Sequence, residues 1–456
     1  MSDTIAAIAT GPARAAIGIL RLSGPEAVSA ASAVFRPQSG RPLAECRAHT
    51  LIYGTLLGAD GAPIDQALAT VSRAPRSYTG EDTAEIQCHG SPTVLAMGLE
   101  ALFAAGARQA GPGEFTRRAF LNGRLDLTQA EAVIDLIDAE TPAAARCAAG
   151  QLSGALGRRV AEIYDGLVDV MAHFHAVLDY PDEDIDPFGA ETLGTALERA
   201  EGGLAALLES YGRGKFLTRG VPCAIVGRPN AGKSSLLNAL VGFDRAIVTD
   251  IPGTTRDTIE ERCALGGVLL RLIDTAGLRE AGDAIERMGV ERSRAALEGA
   301  ELALLVVDGS APLTAEDNAA MDEAERVPRV LCVVSKADLP QAVDVEALRA
   351  RFPALCVVSA ATGAGLEALA AAVAAQFPRG GAEERGELLT NARQAEAAGR
   401  ALECVRAAGE ALRAGVTADA VTADVEGALE ALGELTGRTV RQDVTDRIFS
   451  RFCVGK

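Results

Sequence analysis

The sequence predicts a multidomain chain. It comprises an N-terminal α+β domain, an α-helical domain, and an α/β domain with a doubly wound, mostly parallel sheet inserted into the helical one. Three observations predict this. The chain has 456 residues, too many for one ordinary hydrophobic core. Short apolar runs alternate with helical segments between residues 219 and 378. Helical periodicity flanks that stretch on both sides, so the helical domain reads as two halves, 122–214 and 379–456, after a first domain at 1–121.

In the first domain, residues 17–22, 51–57 and 67–71 read as strands. Turn formers separate them: Gly11-Pro12, Ser23-Gly24-Pro25, Gly61-Ala62-Pro63 and Gly111-Pro112-Gly113. A helix is expected after Gly90, with Ser91 as its cap and Pro92 at the first helical position. Beyond Leu125, Thr128 and Glu131 predict a capping box, and Leu127, Ala130, Ile134 and Ile137 repeat at helical spacing. A longer stripe runs through Leu152, Leu156, Val160, Ile163, Leu167, Val170, Phe174 and Val177. At 1.5 Å per residue it predicts a rod of about 40 Å. Pro181 to Asp186 reads as an acidic turn, followed by an Ala/Leu helix to about Ser210 and a linker at 211–214. In the α/β region the runs 221–226, 268–273, 302–308, 330–335 and 355–358 are of the buried-strand type. Val421, Val425, Leu429, Leu432 and Leu435 restore helical spacing, which ends at Gly437.

Composition excludes several classes. Apolar residues make up 48% and charged ones 23%, a folded and not a disordered balance. No apolar run approaches the roughly 20 residues of a membrane span. The N-terminus lacks a basic segment followed by an apolar one, so a cytoplasmic chain without a membrane partner is expected. Nine cysteines occur without a CxxC pair, against a disulfide framework or a structural zinc site. A net charge of −18 argues against a nonspecific DNA or RNA binder, although a local basic patch could still meet an RNA.

Chemistry concentrates in the α/β region. Gly227-Arg-Pro-Asn-Ala-Gly-Lys233-Ser234 fits GxxxxGK[ST] between an apolar strand and a Leu-rich helix. Backbone N–H groups of Asn230, Ala231, Gly232, Lys233, Ser234 and Ser235 are expected to cradle phosphates. Lys233 would reach the β/γ-phosphates and Ser234 would bind Mg²⁺. Asp274, Thr275, Ala276 and Gly277 close a strand where the carboxylate can hold magnesium through water and Gly277 can meet a γ-phosphate. Thr254 and Thr255 lie between these motifs, where a threonine would complete the Mg²⁺ shell. Ser335, Lys336, Ala337 and Asp338 follow one strand, and Ser359 and Ala360 the next. Asp338 can accept from guanine N1–H and N2–H₂, so the nucleotide is expected to be GTP. The usual guanine motif opens with Asn; Ser335 is expected to lose a direct base contact at some cost in affinity.

These motifs occur with IGILRLSG (17–24), SYTGEDTAEIQCHG (77–90), PGEFTRRAFLNGRLDLTQAEAVIDLIDA (112–139), DYPDEDID (179–186), TDIPGTTRD (249–257), DTAGLRE (274–280) and a terminal RIFSRFCVGK. Together they resemble the MnmE (TrmE) family of tRNA modification GTPases over the whole chain. The departures are Ser335 for Asn and Arg124 for the more common Lys. The resemblance implies a tetrahydrofolate-binding and dimerising N-terminal domain, a helical domain and an inserted GTPase domain. It implies a GTP hydrolase that helps install a carboxymethylaminomethyl or aminomethyl group at C5 of the wobble uridine of certain tRNAs. The one-carbon unit would come from a methylene- or formyl-tetrahydrofolate, and the assembly would be a homodimer joined to the FAD-dependent MnmG protein as a heterotetramer.

By the same resemblance Arg21, Glu85, Arg124 and Lys456 would contact the folate; on their own, the first three read as ordinary surface charges. The nucleotide would also be touched by Thr249, Asp250, Ile251, Pro252 and Gly253, with Mg²⁺ on Ser234 and Thr255. Asn230, Thr249, Ile251 and Thr254 would hold K⁺, oxygen-rich ligands suited to a hard cation. Leu278 cannot orient a nucleophilic water, and Glu286 matches the position of a carboxylate that could; it could equally be a solvated carboxylate at a helix start. Cys453 is either a nucleophile on a basic tail or a small residue packing that tail.

Two rival classes are weighed. A ribosome-assembly switch of the Era or EngA type shares the GTPase motifs but needs a KH-like RNA-binding appendage with a GXXG loop; helices and an acidic balance are read there instead. A dynamin-like mechanical GTPase needs a lipid-binding element, and none is evident.

Overall fold

In the computed structural model, residues 3–179, 190–243, 261–273, 297–377, 381, 385–416, 418–439 and 442–456 are described. The chain divides into two compact units, residues 1–134 with 429–456, and residues 135–428.

The first unit is built on a seven-stranded sheet: β1 (Ile5–Ile8), β2 (Ala15–Ser23), β3 (Phe35–Pro37), β4 (Ile52–Leu57), β5 (Pro63–Ser72), β6 (Thr83–Gly90) and β7 (Arg108–Gln109), in the order β3-β4-β5-β6-β2-β1-β7. Only the β1–β7 pair is parallel. Helices α1 (Ala27–Val34) and α2 (Pro92–Ala104) cover one face, where Leu20, Leu22, Leu56, Ile86 and Leu102 are sealed from solvent. The three strands read from periodicity exist. The sequence reading missed β1, the short β3 and β7, and β6, although β6 pairs with both β2 and β5. Its alternation TAEIQCHG carries charged and polar residues on the open face, which hides a central strand from an apolar-run criterion. Pro92 does open α2 after Ser91, but the Ser91 side chain makes no cap bond. Helix α3 (Glu114–Leu121) follows.

The capping box expected at Thr128 lies two residues earlier. The Asp126 carboxylate accepts the Gln129 N–H at 2.8 Å, and the Gln129 side-chain oxygen accepts the Asp126 N–H at 2.9 Å. Asp126 thus caps α4 (Leu127–Ile137), and Thr128 donates to the same carboxylate.

The second unit joins helices to a six-stranded sheet. Helices α5 (Pro142–Leu152), α6 (Ala155–Asp179) and α7 (Ala190–Arg219) lead into β8 (Val221–Val226). The acidic turn expected at 181–186 lies outside the described residues. The linker expected at 211–214 is instead helix, because α7 continues to Arg219. Gly214 is there for close approach: a Cβ would stand 2.0 Å from the Leu389 carbonyl oxygen. The returning segment is pinned along this helix, with the Leu389 N–H donating to Ser210 Oγ at 3.2 Å and Thr218 Oγ1 donating to the Thr390 carbonyl at 3.3 Å.

The sheet adds α8 (Lys233–Phe243), β9 (Glu261–Leu265), β10 (Val268–Leu272), β11 (Leu302–Asp308), α9 (Ala315–Ala324), β12 (Val330–Ser335), α10 (Val345–Arg351), β13 (Leu355–Val357) and α11 (Leu366–Gln376). Its order is β13-β12-β11-β8-β10-β9, parallel except for the β9–β10 hairpin at the edge. Apolar clusters seal both faces, so β8, β11 and β12 are almost continuously apolar. Later in the chain come α12 (Ala392–Arg413), in the second unit, α13 (Ala418–Thr436), which runs from the second unit's last residues into the first unit's, and α14 (Gln442–Phe449), in the first. Among the described residues no helix is long and apolar enough to cross a membrane.

Candidate functional site

The strongest candidate site forms where β8 turns into α8. Gly227 has φ +149°, and a Cβ there would lie 2.3 Å from the Val306 carbonyl, so only glycine lets this turn pass the neighbouring strand. Asn230 (φ +59°) and Gly232 (φ +100°) continue the curl, which turns successive N–H groups toward one point before the N-terminus of α8. The Lys233 ammonium lies within this loop and donates to the carbonyls of Gly227 (2.7 Å) and Arg228 (2.8 Å). Burial, and then the charge of Arg228, lower its pKa. Ser234 and Ser235 occupy the first turn of α8.

The loop expected to read guanine stands beside it. Ser335, at the end of β12, is buried, and its hydroxyl lies 2.5 Å from the Ala231 carbonyl and 3.1 Å from that of Val307. The short side chain therefore serves the phosphate loop, a role that the expectation of a lost base contact had not considered. The Asp338 carboxylate accepts from Ser359 Oγ at 2.6 Å, and that bond holds it below the usual carboxylate range. Lys336 (φ +58°) donates to Asp308 at 2.7 Å. Sequence reading singled out neither Asp308 nor Arg228, which meet here at 3.2 Å. The available signal was a carboxylate ending an otherwise apolar strand, at the carboxyl edge where α/β sheets bind ligands.

Thr249, Asp250, Ile251, Pro252, Gly253, Thr254, Thr255, Asp274, Thr275, Ala276, Gly277, Leu278 and Glu286 lie outside the described residues. The structure thus brings together the expected residues of 230–235, 335–338 and 359–360.

In the first unit, a second group of predicted residues gathers around the chain's last segment. Arg21 and Glu85 face each other across β2 and β6 and pair at 2.8 Å. The Arg21 guanidinium also donates to the Gly455 carbonyl at 3.3 Å and sits 6.0 Å and 5.8 Å from the ring centres of Tyr78 and Phe115. The tail is stitched to the start of α3, where Phe115 N–H donates to the Lys456 carbonyl at 3.1 Å and Gly113 N–H to that of Cys453 at 3.3 Å. Arg124 is exposed, and its aliphatic stem lies close to Gly80. Cys453 is exposed too, so it does not pack the tail; Phe452 does, buried with Phe449 and Ala130. Tyr78, Phe115 and Gly455 were not singled out, because their approach depends on residues more than four hundred positions apart in the case of Arg21 and Gly455. Among the described residues no cluster of three metal-ligating side chains occurs.

Known proteins resemble the chain along its length. The model of the GTP-binding protein TrmE N-terminus matches residues 4–124, and that of the MnmE helical domain matches residues 127–453. A protein called tRNA modification GTPase MnmE from Chloroflexus aurantiacus is 48% identical, with 100% of both chains covered. Proteins of the same name from Symbiobacterium thermophilum and Heliobacterium modesticaldum are 47% and 45% identical, each covering 100% of this chain and 99% and 100% of their own. A phosphate loop, an adjoining guanine loop and end-to-end similarity at this level have one reading: the chain is a GTP hydrolase that belongs to the MnmE family of tRNA modification GTPases.

Proposed function

We propose that the chain hydrolyses GTP as one component of a complex that modifies C5 of the wobble uridine of certain tRNAs. The observation that carries this reading is the pairing of a phosphate loop with a guanine loop, linked through Ser335 and Ala231, in a chain of this family. Lys233 and the N–H groups of 230–235 bind the β/γ-phosphates, and Asp338 selects guanine. The chemistry of this loop fits Mg²⁺: Ser234 stands at the first turn of α8, and with Thr255 it would hold the ion, which neutralises phosphate charge. Asn230, with its positive φ turning its backbone into the loop, would share K⁺ with Thr249, Ile251 and Thr254. Glu286 orients the attacking water in place of the apolar Leu278.

The tail cluster supports a folate site. Arg21 and Glu85 combine a cation and a carboxylate beside the exposed ring of Tyr78, a set that fits a charged, planar heterocycle, while the buried Phe115 backs Arg21 from the core. Arg21, Arg124 and Lys456 would take the carboxylate tail of a tetrahydrofolate derivative and Glu85 its pterin donors; the bound group supplies the one-carbon unit. Cys453, exposed beside this cluster, acts as nucleophile in the modification. The working assembly is a homodimer with an FAD-dependent partner of the MnmG type, in the cytoplasm. Nucleoside analysis of tRNA from a strain lacking the chain tests the proposal: loss of the C5 group is expected, and unchanged wobble uridines would sink it.

A further inference from the structure

Strand β11 is apolar and buried along its length until it ends at Asp308, which is itself only 5% exposed. A carboxylate so placed is stable only if fully paired. Its pairing is lopsided in a useful way. Oδ1 accepts from the backbone N–H (3.0 Å) and hydroxyl (2.7 Å) of Ser310, so the group cannot turn. Oδ2 accepts from two cations on two different loops, Arg228 of the phosphate loop (3.2 Å) and Lys336 of the guanine loop (2.7 Å). Arg228 is held again by the buried Asp317 at 3.1 Å, whose carboxylate also closes the capping box of α9 with Thr314. With two carboxylates on it, Arg228 is neutralised where it stands and is not a phosphate ligand.

We propose that Asp308 is a positioning residue that keeps the phosphate loop and the guanine loop in register. The inference rests on the reading of these loops as the GTP site. A bound GTP spans both loops, with its phosphates on 230–235 and its base on Asp338, two residues from Lys336. Full affinity requires both halves to be met at once, and a shift of about 1 Å between loops forfeits much of it. Lys336 adopts a left-handed conformation that a non-glycine residue holds only when its surroundings impose it, and the Asp308 contact is part of that imposition.

The test uses the purified full-length chain. Asp308→Asn keeps the size but puts an amide donor toward either the two cations or Ser310. The expected result is a KM for GTP raised roughly tenfold, the loss of one charge-assisted bond, with kcat little changed. The preference for GTP over inosine triphosphate should fall, since Asp338 is the group that reads the 2-amino substituent. The melting temperature should move by only a few degrees. Arg228→Gln should also raise KM, and the double variant should cost clearly less than the sum of the two, because both remove the Arg228–Asp308 contact. Unchanged KM and base preference in Asp308→Asn, or additive costs in the double variant, would overturn the proposal. A large drop in melting temperature with normal GTP affinity in the folded protein would overturn it as well, in favour of a purely structural role. If Asp308→Asn does not fold, Arg228→Gln, Lys336→Gln and their double variant supply the same cycle, with non-additive costs expected and additive ones fatal. A wild-type chain that binds no GTP would defeat the underlying site instead, a separate outcome.

Discussion

Two buried charge clusters, one in each unit, are near mirror images. In the first unit a single buried cation, Arg118, is met by Asp3 (2.8 Å), Glu81 (2.9 Å) and Glu114 (3.0 Å), with Arg108 bonded to the same Asp3 and Glu114. In the second unit the buried anion Asp308 is met by Arg228 and Lys336, and Arg228 is shared with a second buried carboxylate, Asp317. The first cluster ties together the chain's start, a loop and helix α3. The second ties two nucleotide-binding loops. Because a buried unpaired charge is intolerable, each cluster fixes whatever carries its members. The lesson is that the same electrostatics stabilises a scaffold in one place and sets the geometry of a site in the other.

The comparison predicts where damage should appear. Arg118→Met would leave three carboxylates around an apolar side chain and should cost about 4 kcal/mol, the range for breaking a buried ion pair from one side. Urea unfolding monitored by circular dichroism measures it; a change under about 1 kcal/mol would mean that the cluster is too wet to act as a scaffold.

Acid should separate the clusters next. Glu114 is half-buried and pulled down to about 2: burial opposes this, and the bonds from Arg108, the Gly111 N–H and Arg118 win. A carboxylate with a depressed folded pKa stabilises above its unfolded value and loses that contribution as pH falls toward the folded one. The first unit should therefore lose about 2 kcal/mol between pH 4.5 and pH 2. In Glu114→Gln most of this pH dependence should vanish. Asp3, also near 2 by virtue of Arg108, is half-exposed and should add little.

A neutral contact sharpens the contrast further. Ser335→Ala removes the hydroxyl tether to Ala231 without touching charge, and should weaken GTP by about 1 kcal/mol, close to fivefold. Isothermal titration with GDP would show it, while stability should hardly move. Unaltered affinity would assign the register of the two loops to Asp308 alone. The smallest structural effect is expected at Cys453. Its side chain is exposed, so Cys453→Ser should change stability by less than about 0.5 kcal/mol. Wobble-uridine modification in cells should nevertheless collapse; normal modification would remove its proposed chemical role.

Much of this was legible before the fold. Strands such as β8, β11 and β12 of the second unit were found because both of their faces are buried, which writes a continuous apolar run, whereas the edge strand β9, ERCAL, was not. Strand β6 was missed because one of its faces is open and mixed. The cap of α4 was misplaced by two residues because Asp126/Gln129 and Thr128/Glu131 both satisfy the local pattern, and helix phase chose between them. The end of α7 was misread because Gly212 and Gly214 break helices in most settings. At Gly214 the returning backbone at Leu389 fills the notch, and that packing offsets the poor propensity of glycine.

By itself the sequence determined whatever depends on neighbours along the chain. The phosphate loop needs consecutive N–H groups before a helix, and the guanine motif a carboxylate at fixed spacing from a strand end. Both are local geometry. Only the tertiary structure decided which charges meet. Arg118 finds Asp3 across 115 positions, Lys336 finds Asp308 across 28, and Arg21 finds Gly455 across 434. Such pairs are selected by strand register, by the closure of long loops and by the cost of leaving a buried charge alone, none of which has a period that a sequence can display.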